Sequence, residues 1–455
     1  MPNPTFRLPK RFKAAGIAAI FLLLAATAWA AIPGVAGPNF TFTAKSGHIS
    51  VGDPDSLIFW GYANGTSPVQ YPGPTMIVTE DQQVTVTLTN ELSMPASIVF
   101  PGQVVEAVGG VPGLLTREAL NADDPATAVN ESTVTYTFTP TEPGTYLYHS
   151  GTRPDLQVEM GLVGALIVRP ANFDAQNPTA YGDARTGYDQ EYLFLLTEMD
   201  KRIHDLIETG RISQVDTSDF FPVHWFINGR SSPDTLAPAG TGLLPNQPYD
   251  SLVRMNPGER LLLRFVGAGR DLHPFHLHGN NFFILARDGR LLESIQGATI
   301  PMEIGTVPDI AVSDFTITVL PGMTADGIFT WTGRDLGWDI YGVNDPQSPA
   351  FRPHDCTPGP DGLDPVTREY CADHDKPFPV ILPDLKDLTF GQFYSGSPFL
   401  GASGSLPPGE GGFNPNAGFF YMWHSHSEKE LTSNDIFPGG MMTFLVIEQP
   451  VVAIP

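Results

Sequence analysis

Positive charge is what this chain lacks most. Lys and Arg number 25 against 49 Asp and Glu, for a formal net charge of −24. So few cations argue against a nucleic-acid partner, because little is available to neutralise phosphates. Charged residues of either sign make up only 16%, whereas Gly (46) and Pro (44) are plentiful. That balance disfavours helices and fits many short strands joined by tight turns. Beyond the N-terminus no apolar run is long enough to span a bilayer. Cysteine is nearly absent, with only Cys356 and Cys371.

What is present begins with an expected export signal over residues 1–30. Arg7, Lys10, Arg11 and Lys13 precede an apolar run from Ala14 to about Ala28, and Ala28-Trp29-Ala30 has the small-x-small cleavage pattern. No cysteine follows the cut, so no lipid anchor is expected there. Periplasmic or secreted localisation follows as the expectation. In an oxidising compartment Cys356 and Cys371, closing a short loop, are expected to form a disulfide. The competing reading takes His354 and His374 beside them as partners in a zinc site.

The 455 residues allow more than one domain. From about Asn39 to Arg169 the chain reads as short alternating strands, among them Val84 to Thr89, Val134 to Phe138 and Gly144 to His149. We therefore place a first β-sandwich at 31–170, a polar linker at 171–190 and a second strand-rich unit at 191–455. Within the second lies a Gly-, Pro- and Asp-rich insert, 333–418, too long for an ordinary loop and a candidate lid or partner surface. G-T-Y-L-Y-H-S near the end of the first unit and G-F-F-Y-M-W-H-S-H near the end of the second suggest two copies of one sandwich.

Histidines cluster at the ends of predicted strands. Leu272 to Asn281 reads L-H-P-F-H-L-H-G-N-N. His276 and His278 are two apart and share one face of an extended chain, whereas His273 falls on the other parity. His424 and His426 repeat the two-apart spacing, and His149 ends its own strand. Imidazole is the commonest metal ligand near neutral pH, so His149, His273, His276, His278, His424 and His426 are the candidate metal ligands. Glu428, Glu430 and Asp435 could add oxygen ligands, although a solvated loop is the preferred reading of that stretch.

These motifs resemble those of the multicopper oxidases, over nearly the whole chain apart from the signal and the insert. Tyr71 to Thr75, Tyr146 to Val168, Leu272 to Gly279 and Met422 to Met442 carry the resemblance. It implies an all-β fold of two cupredoxin-like Greek-key β-sandwich domains, with the long insert in the second. It also implies copper binding and oxidoreductase chemistry. By analogy His278 with His424 would serve one type 3 copper position and His149 with His426 the other, with His276 at type 2 and His273 from type 1. The departures are as specific. Val99-Phe100-Pro101-Gly102 stands where the first histidine pair would fall, Gly151 replaces the partner of His149, and Ser425 replaces the type 1 cysteine. A serine hydroxyl is no substitute for the thiolate of a blue-copper site.

The expectation is therefore one or two copper ions rather than a full four-copper set, acting on a small-molecule or metal-ion substrate. A non-catalytic copper-binding or extracellular structural protein is the competing reading, and an exported module using its insert for recognition is a third. Two-domain members resemble small laccases and copper nitrite reductases, which implies a homotrimer.

Overall fold

Alternation in the sequence becomes strand in the computed structural model, which describes residues 32–52, 55–347, 351–377, 419–448 and 454. The expected signal, 1–30, and residues 378–418 of the insert lie outside them. In strand Val84–Asn90 the side chains of Val84, Val86 and Leu88 are fully buried, and the threonines between them are half-buried. Strand Thr133–Phe138 pairs with it antiparallel and repeats the pattern. Such a strand has one face on a core and one facing outward.

The described strands of the first unit form a six-stranded, a four-stranded and a small two-stranded sheet; those of the second form a seven-stranded, a five-stranded and a small two-stranded sheet. The second unit repeats the first. Ser56–Asn64 runs antiparallel to Asn39–Ser50, which runs parallel to Val84–Asn90, which runs antiparallel to Thr133–Phe138. His224–Ile227, Gln190–Met199, Arg260–Gly267 and Thr324–Thr330 follow the same order and directions. In the four- and five-stranded sheets Gly144–His149 and Phe419–Ser425 occupy equivalent places, each antiparallel to a strand that is itself paired in parallel. The duplicated strands, each with an aromatic residue directly before its histidine (Tyr148-His149 and Trp423-His424), are thus equivalent elements of two sandwiches.

Three apolar layers fix the stacking order. Phe42, Val86, Tyr136 and Leu166 belong to the core of the first sandwich; Phe194, Phe265, Phe275 and Trp423 belong to that of the second. Between the units, Leu147 and Ala165 of the four-stranded sheet pack with Leu193, Leu195 and Val266 of the seven-stranded sheet. Charges trapped at this boundary are paired, as burial demands. Arg264, fully buried, reaches Glu191 at 3.1 Å and Thr145 at 2.9 Å, and Arg169 also binds Glu191. The five-stranded sheet is consequently the far layer, and its outer face points away from the first unit.

Segment 171–190 is packed against this boundary, with Ala180 and Tyr188 buried and Arg185 paired to Asp183 and Glu293. The described part of the insert is also ordered, and its Trp338, Ile340 and Tyr341 join the second core. A helix that the alternation did not predict, Lys201–Glu208, is capped by the Asp200 side chain accepting from the Arg202 N–H. Among the described residues no helix is long and apolar enough to cross a membrane.

Candidate metal centre

Strand register assembles the histidines. In the five-stranded sheet His273–Leu277 lies beside Phe419–Ser425, with His276 directly opposite His424 and Leu277 opposite Trp423. Phe275, Leu277, Tyr421 and Trp423 point into the core and are fully buried. The even positions must therefore face outward, and they carry His276, His278, His424 and His426. All four project from the far side of the sheet, away from the first unit.

Their geometry is close. His278 Nε2 and His424 Nε2 are 2.6 Å apart, a separation two imidazole nitrogens tolerate only with a proton or a cation held in common. One ring nitrogen from each of His276, His278 and His424 lies within 4.8 Å of the others. The His426 ring is more exposed and sits 5.0 Å, centroid to centroid, from that of His276.

Hydrogen bonds behind the rings set their orientation. The His424 Nδ1–H donates to the carbonyl of Ser425 at 2.6 Å, which leaves its Nε2 lone pair turned to the cluster. His276 Nδ1 is 2.8 Å from the Thr316 hydroxyl on the neighbouring strand, and His278 Nδ1 is buried without a hydrogen-bond partner. Burial, reinforced by the neighbouring imidazoles, pushes His276 down to about 4 and His278 down to about 3; burial also lowers His424. At neutral pH these three rings are uncharged and keep their lone pairs, the Asp314 carboxylate near His276 being too weak to offset burial. A neutral all-imidazole donor set fits copper.

His149 lies elsewhere. It belongs to the four-stranded sheet, on the other side of the seven-stranded sheet from the cluster, and its ring hydrogen-bonds its neighbour's carbonyl, Ser150 O, at 2.9 Å. The position two residues beyond it leaves no room for a side chain. Val99 pairs with His149, and a Cβ added at Gly151 would stand 2.7 Å from the Val99 side chain. Within one chain, His149 does not join the other four.

His273 requires a correction. It shares the odd, core-facing parity of Phe275, and both of its ring nitrogens meet carboxylates instead of offering a lone pair to a metal. Nε2 is 3.0 Å from Glu198 and Nδ1 2.9 Å from Glu430, with all three side chains buried. Burial alone would lower its pKa, but the two carboxylates outweigh it and push it up to about 9. His273 is thus an imidazolium held between Glu198 and Glu430. Ser425, expected to face it, is buried and accepts from the Ser427 N–H instead. Glu430 is correspondingly part of the interior rather than of a solvated loop, whereas Glu428 and Asp435 are exposed. Gly269 makes room for the arrangement, since a Cβ there would meet Glu198 Oε2 at 1.9 Å. The sequence reading missed Glu198; its signal was a lone carboxylate in the apolar run Leu193 to Met199.

Cys356 and Cys371 form a disulfide with Cα atoms 5.6 Å apart, so neither sulfur is free for zinc. His354 and His374 meet on another side of that loop.

Comparison with known proteins agrees with this architecture. A multicopper oxidase family model matches residues 63–172, and a second multicopper oxidase model matches 221–324. The chain is 24% identical to copper resistance protein A of Escherichia coli over 272 residues, 53% of this chain and 41% of that protein. It is 28% identical to laccase-1 of Emericella nidulans over 166 residues, 34% of this chain and 24% of that protein. The chain thus spans less than half the length of the curated relatives it matches. Among solved structures, the blue copper oxidase from Nitrosomonas europaea superposes with a TM-score of 0.51 at 18% identity, covering 90% of this chain and 85% of that one. The multicopper oxidase mgLAC gives 0.51 at 17% identity, with 92% and 87% covered. Both likenesses concern the fold, that of cupredoxin sandwiches.

Proposed function

The chain belongs to the multicopper oxidase family, and from that premise we propose that it is an exported copper-binding oxidoreductase working through a reduced, all-histidine cluster without type 1 copper. The observation that carries this reading is the convergence of neutral His276, His278 and His424, with His426 beside them, on one outward face. Thr316 and the Ser425 carbonyl hold two of the rings, and Phe315 packs edge-on against His276 with ring centroids 5.6 Å apart. Copper bound there would supply one-electron redox chemistry. One or two ions suit this donor set, and the chain's own residues give no thiolate relay toward it. A small-molecule or metal-ion substrate would therefore have to approach the cluster directly, past exposed His426.

We further propose that His149 serves the cluster of a neighbouring copy in a homotrimer. Its separation from the other four within one chain, and the orientation of the cluster away from its own first unit, support that reading. Export rests on the signal pattern of residues 1–30 and is tested by sequencing the N-terminus of the protein recovered from the periplasm or medium.

The decisive experiment is copper reconstitution of the purified full chain, with metal counted, the absorption spectrum recorded and turnover of a phenol or a metal ion measured. One or two coppers per chain with turnover are expected. Less than one bound ion per chain overturns the reading. Copper without turnover of either substrate class favours the alternative of a non-catalytic copper-binding protein, which the buried His273 triad supports by filling the electron-entry position. In the trimer, His149→Ala should lower the copper count; an unchanged count or a monomeric mass would remove His149 from the site.

A further inference from the structure

We propose that Asp339, His354, Glu369 and His374, all in the insert, form a second metal site, for a divalent cation of the zinc class. Ligand atoms from the four side chains lie within 4.8 Å of one another. His354 Nε2 is 2.9 Å from Glu369 and 3.8 Å from Asp339. His374 Nδ1 is 2.8 Å from Glu369 and 3.6 Å from Asp339. A tetrahedral ion with bonds of about 2.0–2.2 Å sets its ligand atoms roughly 3.3–3.6 Å apart, and the four separations bracket that edge. The two rings stand at 88° with centroids 4.9 Å apart, as separate ligands approaching one point would.

The surroundings are built to hold these groups. Asp339 and Glu369 are buried at 4% and 2% exposure, so their charges cannot rely on water. Backbone N–H groups of Tyr341 and Asp375 donate to the two oxygens of Asp339 at 2.8 and 2.9 Å. The His354 Nδ1–H donates to the Arg352 carbonyl at 2.8 Å, which directs the other nitrogen at the carboxylates. Such hydrogen bonds behind a ligand fix tautomer and direction in metal sites. The Cys356–Cys371 disulfide falls two residues after His354, two after Glu369 and three before His374, and so ties three of the four together. Two carboxylates with two neutral imidazoles carry a charge that one divalent cation balances. Without a cation, His354 would need protons on both nitrogens to satisfy both its partners.

The site differs from the copper cluster in donor type, place in the chain and neighbours, so the two can be tested apart. The probe is Zn2+ alone, followed by Co2+ as a spectroscopic substitute, added to the full chain carrying His276→Ala and His278→Ala. One Zn2+ per chain is expected by equilibrium dialysis, and Co2+ should give the visible absorption of a four-coordinate ion. Adding His374→Ala should remove both signals, while Glu369→Gln, nearly isosteric, should weaken Zn2+ binding by at least roughly tenfold. Should His374→Ala fail to fold by circular dichroism, Glu369→Gln alone decides. No Zn2+ bound at micromolar concentration, or affinity unchanged by Glu369→Gln, overturns the proposal and leaves a hydrogen-bonded ion cluster. Failure of copper binding at the outward cluster would not touch this result.

Discussion

On the strand His273–Leu277 and its extension to His278, neighbouring imidazoles have opposite fates. His276 and His278 take the even, outward positions, where their ring nitrogens meet the Thr316 hydroxyl and another imidazole instead of hydrogen-bonded carboxylates. His273 takes the odd, inward position, where Glu198 and Glu430 close on its two nitrogens. The same side chain is therefore a neutral imidazole with its lone pair available on one face of the sheet and a buried cation on the other. Strand parity decides which charges it meets, and those charges decide its protonation. In this chain a salt-bridged triad fills the inward side and an imidazole cluster stands outside.

The largest test of this contrast is structural. Glu198→Ala should strip the buried His273 Nε2–H, and the Arg270 and Asp271 N–H groups, of their carboxylate acceptor, costing about 3–5 kcal/mol in urea denaturation. His278→Ala, on the half-buried outer face, should cost much less while lowering copper binding. Equal losses from the two substitutions would show that the inward triad carries no special share of stability.

A second test is the direction of pH dependence in the metal-free protein. The His273 pKa of about 9 lies above its unfolded value near 6.5. Its contribution is thus fully present below pH 6.5 and lost as pH rises through 9, on the order of 3 kcal/mol. The outward rings run the other way. His276 at about 4 and His278 at about 3 lie below 6.5, so the unfolded state binds more protons in between, and stability falls as pH drops from 6.5 through those values. Denaturation from pH 4 to 9.5, with His273→Gln as the reference, checks both limbs; an alkaline limb that persists in His273→Gln would assign it to another group.

A smaller effect should come from the hydrogen bond behind His276. Thr316→Val keeps the shape of the side chain and removes the hydroxyl 2.8 Å from Nδ1. Copper affinity should fall roughly 10–100-fold by competitive titration, with little change in fold stability. Unaltered affinity would mean that the ring is held by packing against Phe315 instead.

Much of this was legible in the sequence because it is local. Period-two alternation located strands such as Val84–Asn90, two-residue spacing placed His276 with His278 and His424 with His426, and the export pattern with two cysteines predicted the Cys356–Cys371 disulfide. What the sequence hid is pairing across long separations. Glu198 and Glu430 stand 75 and 157 positions from His273, and no periodicity announces either. Asp339 and Glu369 were likewise invisible as partners of His354 and His374, since carboxylates in a Gly-, Pro- and Asp-rich stretch look like solvated turn residues. Glu430 read as solvent-facing for the same reason, because charge near a chain turn is usually exposed.

The smallest predicted effect is the most diagnostic of how the two faces differ. Ser425→Cys restores the thiol that the family's type 1 site requires, at a position that is fully buried. The thiol alone would have a blue site follow, yet such a site needs two imidazoles, and no histidine lies from Ser427 to Pro438 to supply the second. The structure predicts that it does not, because His273 Nε2 and Nδ1 are both engaged by carboxylates, and a thiolate without its imidazole partner is an incomplete blue-copper donor set. Copper-loaded Ser425→Cys should therefore show no intense blue band. The triple variant Ser425→Cys, Glu198→Gln, Glu430→Gln, which removes the charges that hold His273 protonated, should come nearer to one. A strong blue absorption in Ser425→Cys alone would mean that His273 leaves its carboxylates readily, and that the inward face retains more of its metal-binding capacity than the triad implies.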